Sequence, residues 1–285
     1  MAGNRSRRGG RHCRRSNWKT ARFMPTDFLD TVHLDRGARA GFISDLHLGP
    51  HDPDIEHRFR TFLEASAGAF DALFILGDLF EFWIGDDAAG LCGHLGAVRA
   101  LAAFLERDEC RGYLMHGNRD FLIGEQFCQQ TGCRLLADPC ILDYAGVPIL
   151  LSHGDSYCTD DTEHQKFRAL VRDHSWQENF LSRSASERLD FAHEARARSE
   201  SGKSKKSMEI MDVNPLAVAA EMHRHRVGYL IHGHTHRPAI HSLTVDGAEA
   251  LRFVLGAWFD RKNILTIADG AIHYAPDGIE RVTGL

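Results

Sequence analysis

Asp45-Leu46-His47 and His234-Thr235-His236 each carry two metal-binding side chains one residue apart. Between them in the chain come Gly77-Asp78, Gly117-Asn118 and His153-Gly154. Asp45, His47, Asp78, Asn118, His153, His234 and His236 together offer carboxylate or amide oxygen from three residues and imidazole from four. Such a mixed set suits Mn, Fe, Zn or Ni better than Ca or a thiolate-bound metal. Seven side chains are too many for one ion and about right for two, with Asp78 available to bridge. Two ions ~3.5–4 Å apart activate water and stabilise both oxygens of an in-line displacement at phosphorus.

These residues need elements that bring them together. Each cluster follows a short apolar run: "GFIS", "ALFIL", "YLM", "VPILLS" and "VGYLI". The runs have strand length and the Ile, Leu, Val and Phe content of buried strands. Helical patterns lie between the early runs. Ile55–Ala67 puts Phe59, Phe62 and Leu63 on one face, and Leu95–Arg107 does the same with Val98, Leu101, Ala102 and Leu105. Strand alternating with helix predicts an α/β core, where ligands bind at the carboxyl ends of strands. Gly77, Gly117, Gly154 and Gly233 stand beside the candidate ligands, where the backbone must bend sharply or approach closely. A lone strand-end His is more often a surface or core residue than a ligand, and the chain has 18 His. Others, His94 and His164 among them, lack the strand-end-plus-Gly context.

After Asp155 the pattern changes. Residues of about 159–207 read as a helical cap inserted over the strand ends. Phe167, Leu170 and Val171 form one apolar stripe; Phe180 and Leu181 start another. Lys166, Arg168, Arg172, Arg183, Arg188, Arg196, Arg198, Lys203, Lys205 and Lys206 make the cap basic. Asn214-Pro215 opens a further helix, with Asn as N-cap and Pro at the first position, running to about Arg226. From Ile240 short strands turn at Val245-Asp246-Gly247 and Ala268-Asp269-Gly270.

The 285 residues are 43% hydrophobic, enough for one large domain or a domain with a sizeable insertion. Net charge is −5, which does not suggest a general nucleic-acid surface. Residues 1–22 hold eight basic residues and no acid, which leaves 26 basic against 39 acidic in the rest. Residues 1–38 are therefore expected to be a basic, disordered tail, ahead of a single domain at 39–285. Two other readings of the tail are a translation start at Met24 and a contact with anionic lipid or nucleic acid. The opening lacks the apolar segment of a secretory signal. No run approaches the ~20 apolar residues of a membrane span. Seven Cys without a C-x-x-C pair fit reduced thiols, not a disulfide framework or a structural zinc site.

The order D-x-H, G-D, G-N, H-G, G-H-x-H resembles the calcineurin-like metallophosphoesterase superfamily. Within it the chain is similar to the UDP-2,3-diacylglucosamine pyrophosphatases of bacterial lipid A synthesis. The similar stretches are "FISDLHL", "ALFILGDLFEFWIGDD", "HGNRDFLIG", "LLSHGDSYCTDD", "KSMEIMDVN", "YLIHGHTHRPAIH" and "VLGAW", over about residues 41–258. The resemblance implies an α/β (α+β) fold, a β-sandwich flanked by helices with a helical cap. It implies two Mn2+ ions: one on Asp45, His47 and His236, the other on Asn118, His153 and His234, with Asp78 bridging. It implies substrate contacts at Asn118, Arg119, Asp161, Ser199, Lys203, Lys206 and His234, although the family often has Asn where Lys203 stands. The implied reaction is hydrolysis of the substrate's pyrophosphate at the α-phosphorus, giving UMP and 2,3-diacylglucosamine 1-phosphate. An acylated substrate implies that the protein visits the cytoplasmic face of the inner membrane, with the basic cap as its contact.

Arg119 narrows the chemistry. In much of the superfamily the residue after that Asn is His, which can protonate a leaving group. Arg stays charged and cannot act as a general acid, but it forks onto phosphate oxygens. A phosphate leaving group needs little protonation, so Asn118-Arg119 as the catalytic pair fits a pyrophosphate better than an alkyl phosphomonoester. An alternative makes Arg119 an exposed ion-pair partner of Asp120. Another makes "KSKK" a solvated loop and the cap's apolar stripes plain helix packing instead of an acyl-chain groove. Asp86 and Asp87 read as capping or supporting residues. Rival functions are a soluble nucleotide or phosphoprotein phosphatase and a metal-binding scaffold that has lost catalysis.

Overall fold

A computed structural model of the chain describes residues 29–203, 210–259 and 262–285. Two sheets form, with strands numbered in chain order. One sheet runs β1 (Thr31–Leu34), β6 (Cys140–Tyr144), β7 (Val147–Ser152), β8 (Tyr229–His232), β10 (Ala248–Val254) and β9 (Ala239–Val245). The other runs β13 (Arg281–Gly284), β12 (Ala271–Tyr274), β11 (Leu265–Ala268), β2 (Ala40–Ile43), β3 (Ala72–Leu76), β4 (Arg111–Met115) and β5 (Arg134–Leu136). They face each other across a core that includes Phe42, Phe74, Leu142, Leu151, Ile231 and Phe253. Phe42 stacks on Phe74 and Phe74 on Tyr113, with ring centroids 4.9 and 4.7 Å apart. This is the β-sandwich with flanking helices that the sequence resemblance implied.

β2, β3 and β4 are parallel neighbours, and every residue of β2 and β3 is buried. Sheets covered on both faces produce such unbroken apolar runs. The cover on the outer face is α1 (Pro53–Ala65) and α2 (Leu95–Arg107), joined by α3 (Glu125–Thr131). α1 buries Ile55, Phe59, Phe62 and Leu63, the face its spacing predicted. It starts two residues earlier than that spacing suggested because Pro53 fits the first helical turn and Asp52 accepts from the Ile55 N–H at 3.2 Å. α7 (Pro215–His225) covers the other sheet, and Asn214 caps it by accepting from the N–H groups of Leu216 and Ala217. The two turn signals close the β9–β10 and β11–β12 hairpins.

The start of the folded region needs correction. β1 lies inside the 1–38 span expected as a tail, yet it pairs in parallel with β6 from Thr31↔Ile141 to Leu34↔Tyr144. Val32 and Leu34 are buried. Four residues with two inward side chains give too short an alternation to stand out beside a basic run, and a partner 110 residues away makes the strand. Residues 1–28 lie outside the described part.

Three helices occupy the segment expected as a cap: α4 (Thr162–Val171), α5 (His174–Leu181) and α6 (Ala185–Lys203). Their apolar stripes are split. Val171 and Phe180 are buried, whereas Leu170 and Leu181 are 50% and 42% exposed. Nor do their basic residues all face solvent. Arg168 donates to Asp155 at 2.9 Å, and Arg172 donates to Gly117 O at 3.0 Å. Arg188, 2% exposed, pairs with Asp87 and donates to Ile84 O at 2.5 Å. Arg196 pairs with Glu81. These four guanidiniums point inward and clamp the cap to the sandwich; Lys166, Arg183 and Arg198 face solvent. The alternation of charge along a helix does not reveal which charges have a buried partner.

Candidate two-metal site

Parallel pairing sets the site's geometry. Ile43 lies beside Ile75, and Leu76 beside Met115, so the loops carrying Asp45, Asp78 and Asn118 leave their sheet side by side. In the facing sheet Ser152 lies beside His232, so His153 and His234 emerge together. The loops are also tied to one another. The Asp45 N–H donates to Gly77 O at 3.1 Å, the His47 N–H to Asp78 O at 3.0 Å, and the Gly233 N–H to His153 O at 2.9 Å.

Local backbone aims the side chains. Asp45, His47, Asp78, His234 and His236 all have positive φ, between 52° and 69°. For residues other than Gly that region costs on the order of 1 kcal/mol each and persists only where the surroundings over-determine it. With this backbone Asp45 and His47 join His236 in one group of ligand atoms, while His234 joins Asp78 and His153 in the other. Gly117 is required for a different reason. A Cβ there would lie 2.0 Å from Asp78 Oδ1, so the two loops touch only because residue 117 has no side chain.

Asp45, His47 and His236 bring one ligand atom each within 4.8 Å of one another, and Asp78, His153 and His234 do the same. His47 Nε2 and His236 Nε2 are 3.0 Å apart, and Asp45 Oδ1 lies 3.3 Å from His236 Nε2. Asp78 Oδ2 stands between the groups, 3.9 Å from His47 Nε2 and 3.7 Å from His153 Nε2. Asn118 Oδ1 is 3.2 Å from His153 Nε2 and 2.9 Å from His234 Nδ1. His153 donates Nδ1–H to Leu76 O at 2.9 Å, which leaves Nε2 turned into the cluster. Its own backbone N–H and Ser152 Oγ are both held by Asp138.

The electrostatics fit cations. Burial alone would favour a neutral Asp45, but His236, His153 and His47 around it hold its carboxyl well below the usual range. Burial lowers His47 to about 3 despite the pull of Asp78. Burial also pushes His234 far down. His153 goes the other way: burial opposes its charge, yet Asp78, Asp155 and Asp45 raise it to about 9. The carboxylates thus draw positive charge to the point where nitrogen and oxygen donors converge. Asp45 Oδ1 is buried there without a hydrogen bond. Converging donors with an unsatisfied carboxylate oxygen are what a pair of divalent cations requires, and the seven residues fit them.

The remaining expected residues are placed as follows. The Arg119 N–H donates to Asp78 Oδ1 at 2.8 Å, and its guanidinium lies 3.7 Å from Glu81. It is not the partner of Asp120. That carboxylate is fully buried and accepts from the N–H groups of Gly117 and Leu79, both at 2.8 Å. Burial and then Asp78 raise it to about 6. Asp161 caps α4, accepting from the His164 N–H at 3.0 Å, and the His164 ring centroid is 5.2 Å from that of His234. Ser199 is exposed on α6, one turn beyond Arg196. The side chain of Lys203 and all of Lys206 lie outside the described residues. Asp86 accepts from Trp83 Nε1 and from the N–H groups of Gly124 and Phe127, at 2.9, 2.9 and 3.1 Å, fixing the start of α3.

Glu81, His164 and Asp155 were not singled out from the sequence. Glu81 stands only three residues after Asp78 in "GDLFEFW", and Asp155 directly follows His153-Gly154. Their nearness to candidate ligands was a usable signal. Nothing marked His164, which a helix carries in from the cap. Among the described residues, all six cysteines are free, and no helix is long and apolar enough to cross a membrane.

A model of the calcineurin-like phosphoesterase family matches residues 38–238. Curated relatives include the UDP-2,3-diacylglucosamine hydrolases of Stenotrophomonas maltophilia K279a, Chromohalobacter salexigens and Enterobacter sp. 638. The first is 44% identical over 80% of this chain and 94% of its own. The second is 47% identical over 76% and 87%, and the third 46% identical over 81% and 95%.

Proposed function

Because this chain belongs to the calcineurin-like phosphoesterase family and is a hydrolase, we propose that its substrate is UDP-2,3-diacylglucosamine. Its pyrophosphate is cut by attack of water at the α-phosphorus, giving UMP and 2,3-diacylglucosamine 1-phosphate for lipid A biosynthesis. The names of the relatives support the substrate. The observation that carries the reaction type is Arg119, a permanent cation adjoining Asn118 at the mouth of the paired ligand groups.

Asp45, His47 and His236 would hold one Mn2+, and Asn118, His153 and His234 the other, with Asp78 shared. Such a pair activates water and neutralises charge on the phosphoryl oxygens. The chain's own residues do the rest. Arg119 forks onto the phosphate and stabilises charge that grows in the transition state, an effect of several kcal/mol in a dry site. Its side chain is only 14% exposed, which keeps that charge poorly screened. The phosphate leaving group asks for little protonation, so no general acid is needed beside Asn118. Asp161, Ser199, Lys203, Lys206 and His234 are the proposed further substrate contacts. Half-buried Trp176 and Phe191 of cap helices α5 and α6, packed on buried Phe180, are the proposed acyl-chain surface. Exposed Leu170 and Leu181, with Lys166, Arg183 and Arg198, form the proposed contact with the inner-membrane surface.

Turnover of UDP-2,3-diacylglucosamine with Mn2+ and with EDTA tests the proposal. UMP release with Mn2+ and none with EDTA is expected. No metal-dependent release, or equal activity on bis-p-nitrophenyl phosphate, would sink it. In 18O-water the label enters UMP if attack is at the α-phosphorus; label in the lipid phosphate would reverse that assignment.

A further inference from the structure

We propose that Glu81 is a positioning residue that orients both the His47 imidazole and the guanidiniums of Arg119 and Arg196. The inference rests on the two-metal phosphoesterase reading above. Glu81 lies in the loop after β3, and its backbone N–H donates to Leu48 O at 2.9 Å, which seats it against the Asp45–His47 loop. Its side chain is only 13% exposed and lies against one imidazole nitrogen and two guanidiniums. Oε2 is 3.3 Å from His47 Nδ1, Oε1 is 3.7 Å from Arg119, and Oε1 also pairs with Arg196 of α6.

The two ends of His47 do different things. Nε2 faces His236 Nε2 and Asp78 within the ligand cluster, and Nδ1 faces Glu81. A carboxylate on the far nitrogen of a ligating imidazole fixes its tautomer and ring angle and raises its basicity. On its other side, Glu81 gathers one guanidinium from the Asn118 loop and one from the cap. Two arginines against one carboxylate leave a net positive charge, so both can remain on Glu81 and still take an anionic group. One carboxylate therefore sets the ligand ring and seats the cap helix beside it. Glu81 stands outside both groups of candidate ligand atoms and acts through His47 and the two arginines, so its role is positioning.

Glu81→Gln keeps the shape and removes the charge. Mn2+ binding without substrate, followed by the EPR signal of free Mn2+, is expected to weaken tenfold or more, with Glu81→Asp recovering part of the loss. In kcat/KM for UDP-2,3-diacylglucosamine, Glu81→Gln combined with Arg196→Ala should cost less than the product of the two single losses. Mn2+ affinity within twofold of the parent protein overturns the His47 part, and multiplicative losses overturn the arginine part. If the parent protein releases no UMP, the substrate reading has failed, and the Mn2+ titration still decides for or against Glu81.

Discussion

Residue 117 and Asp78 share space that only Gly allows. Gly117→Ala would place a methyl 2.0 Å from Asp78 Oδ1, so either the loop or the carboxylate must move. Mn2+ affinity should fall at least tenfold, measured by titration; affinity within twofold would mean that Asp78 does not depend on this approach. Arg119 offers a separate test, because its guanidinium contributes charge and not a proton. Arg119→Ala should lower kcat/KM by more than tenfold, about 1.4 kcal/mol in the transition state, and Arg119→Lys should recover only part. A loss smaller than that contradicts the role given to it. Both residues were legible in the sequence, Gly117 by its place before Asn118 and Arg119 by its chemistry. What the sequence did not reveal was that Asp120, directly after Arg119, turns the other way to satisfy buried backbone N–H groups.

Helix α6 has charged residues throughout, and its sequence does not mark which of them are buried. Arg188 is one that is. Its side chain is buried, while Asp87 remains 65% exposed, so removing the guanidinium strands no buried charge. Arg188→Met should cost about 1–3 kcal/mol in lost charged hydrogen bonds. The loss should be local, appearing as faster amide hydrogen exchange across α6 with the sheets unchanged. Unaltered protection of α6 would show that Arg188 does not hold the cap. Strand β1 teaches the complementary lesson. Its two inward residues become a strand through pairing with β6, since strand formation depends on cross-strand contacts more than on intrinsic preference.

Across the whole molecule, stability should depend on acid through a buried histidine outside the candidate ligand groups. His94 is 2% exposed, donates to Phe82 O at 2.9 Å and stacks on Trp83. Burial lowers it to about 4 from the ordinary 6.5. Between those values the unfolded chain binds a proton that the folded chain refuses. Stability is therefore whole above pH 6.5, falls as pH drops from 6.5 to about 4 and levels off below, a loss of up to about 3 kcal/mol from this residue. Urea unfolding of metal-free protein at pH 7.5 and 4.5 should show a smaller acid loss in His94→Gln than in the parent. Equal losses would show that His94 does not contribute.

The sequence by itself determined which atoms are available and near which strand ends they fall. Buried parallel strands write themselves as unbroken apolar runs, and a polar cluster at the end of each such run has little choice but to gather at the sheet edge. The polar clusters that end these runs therefore revealed the seven candidate ligands, apolar spacing revealed α1 and α2, and the Asn214-Pro215 cap revealed α7. Only the tertiary structure decided which atoms meet. Left-handed backbone at five candidate ligands is set by the surrounding loops, not by residue type. Likewise, the inward turn of Arg168, Arg172, Arg188 and Arg196 depends on partners distant in the chain. An ion pair buried between elements leaves no period in either element's sequence.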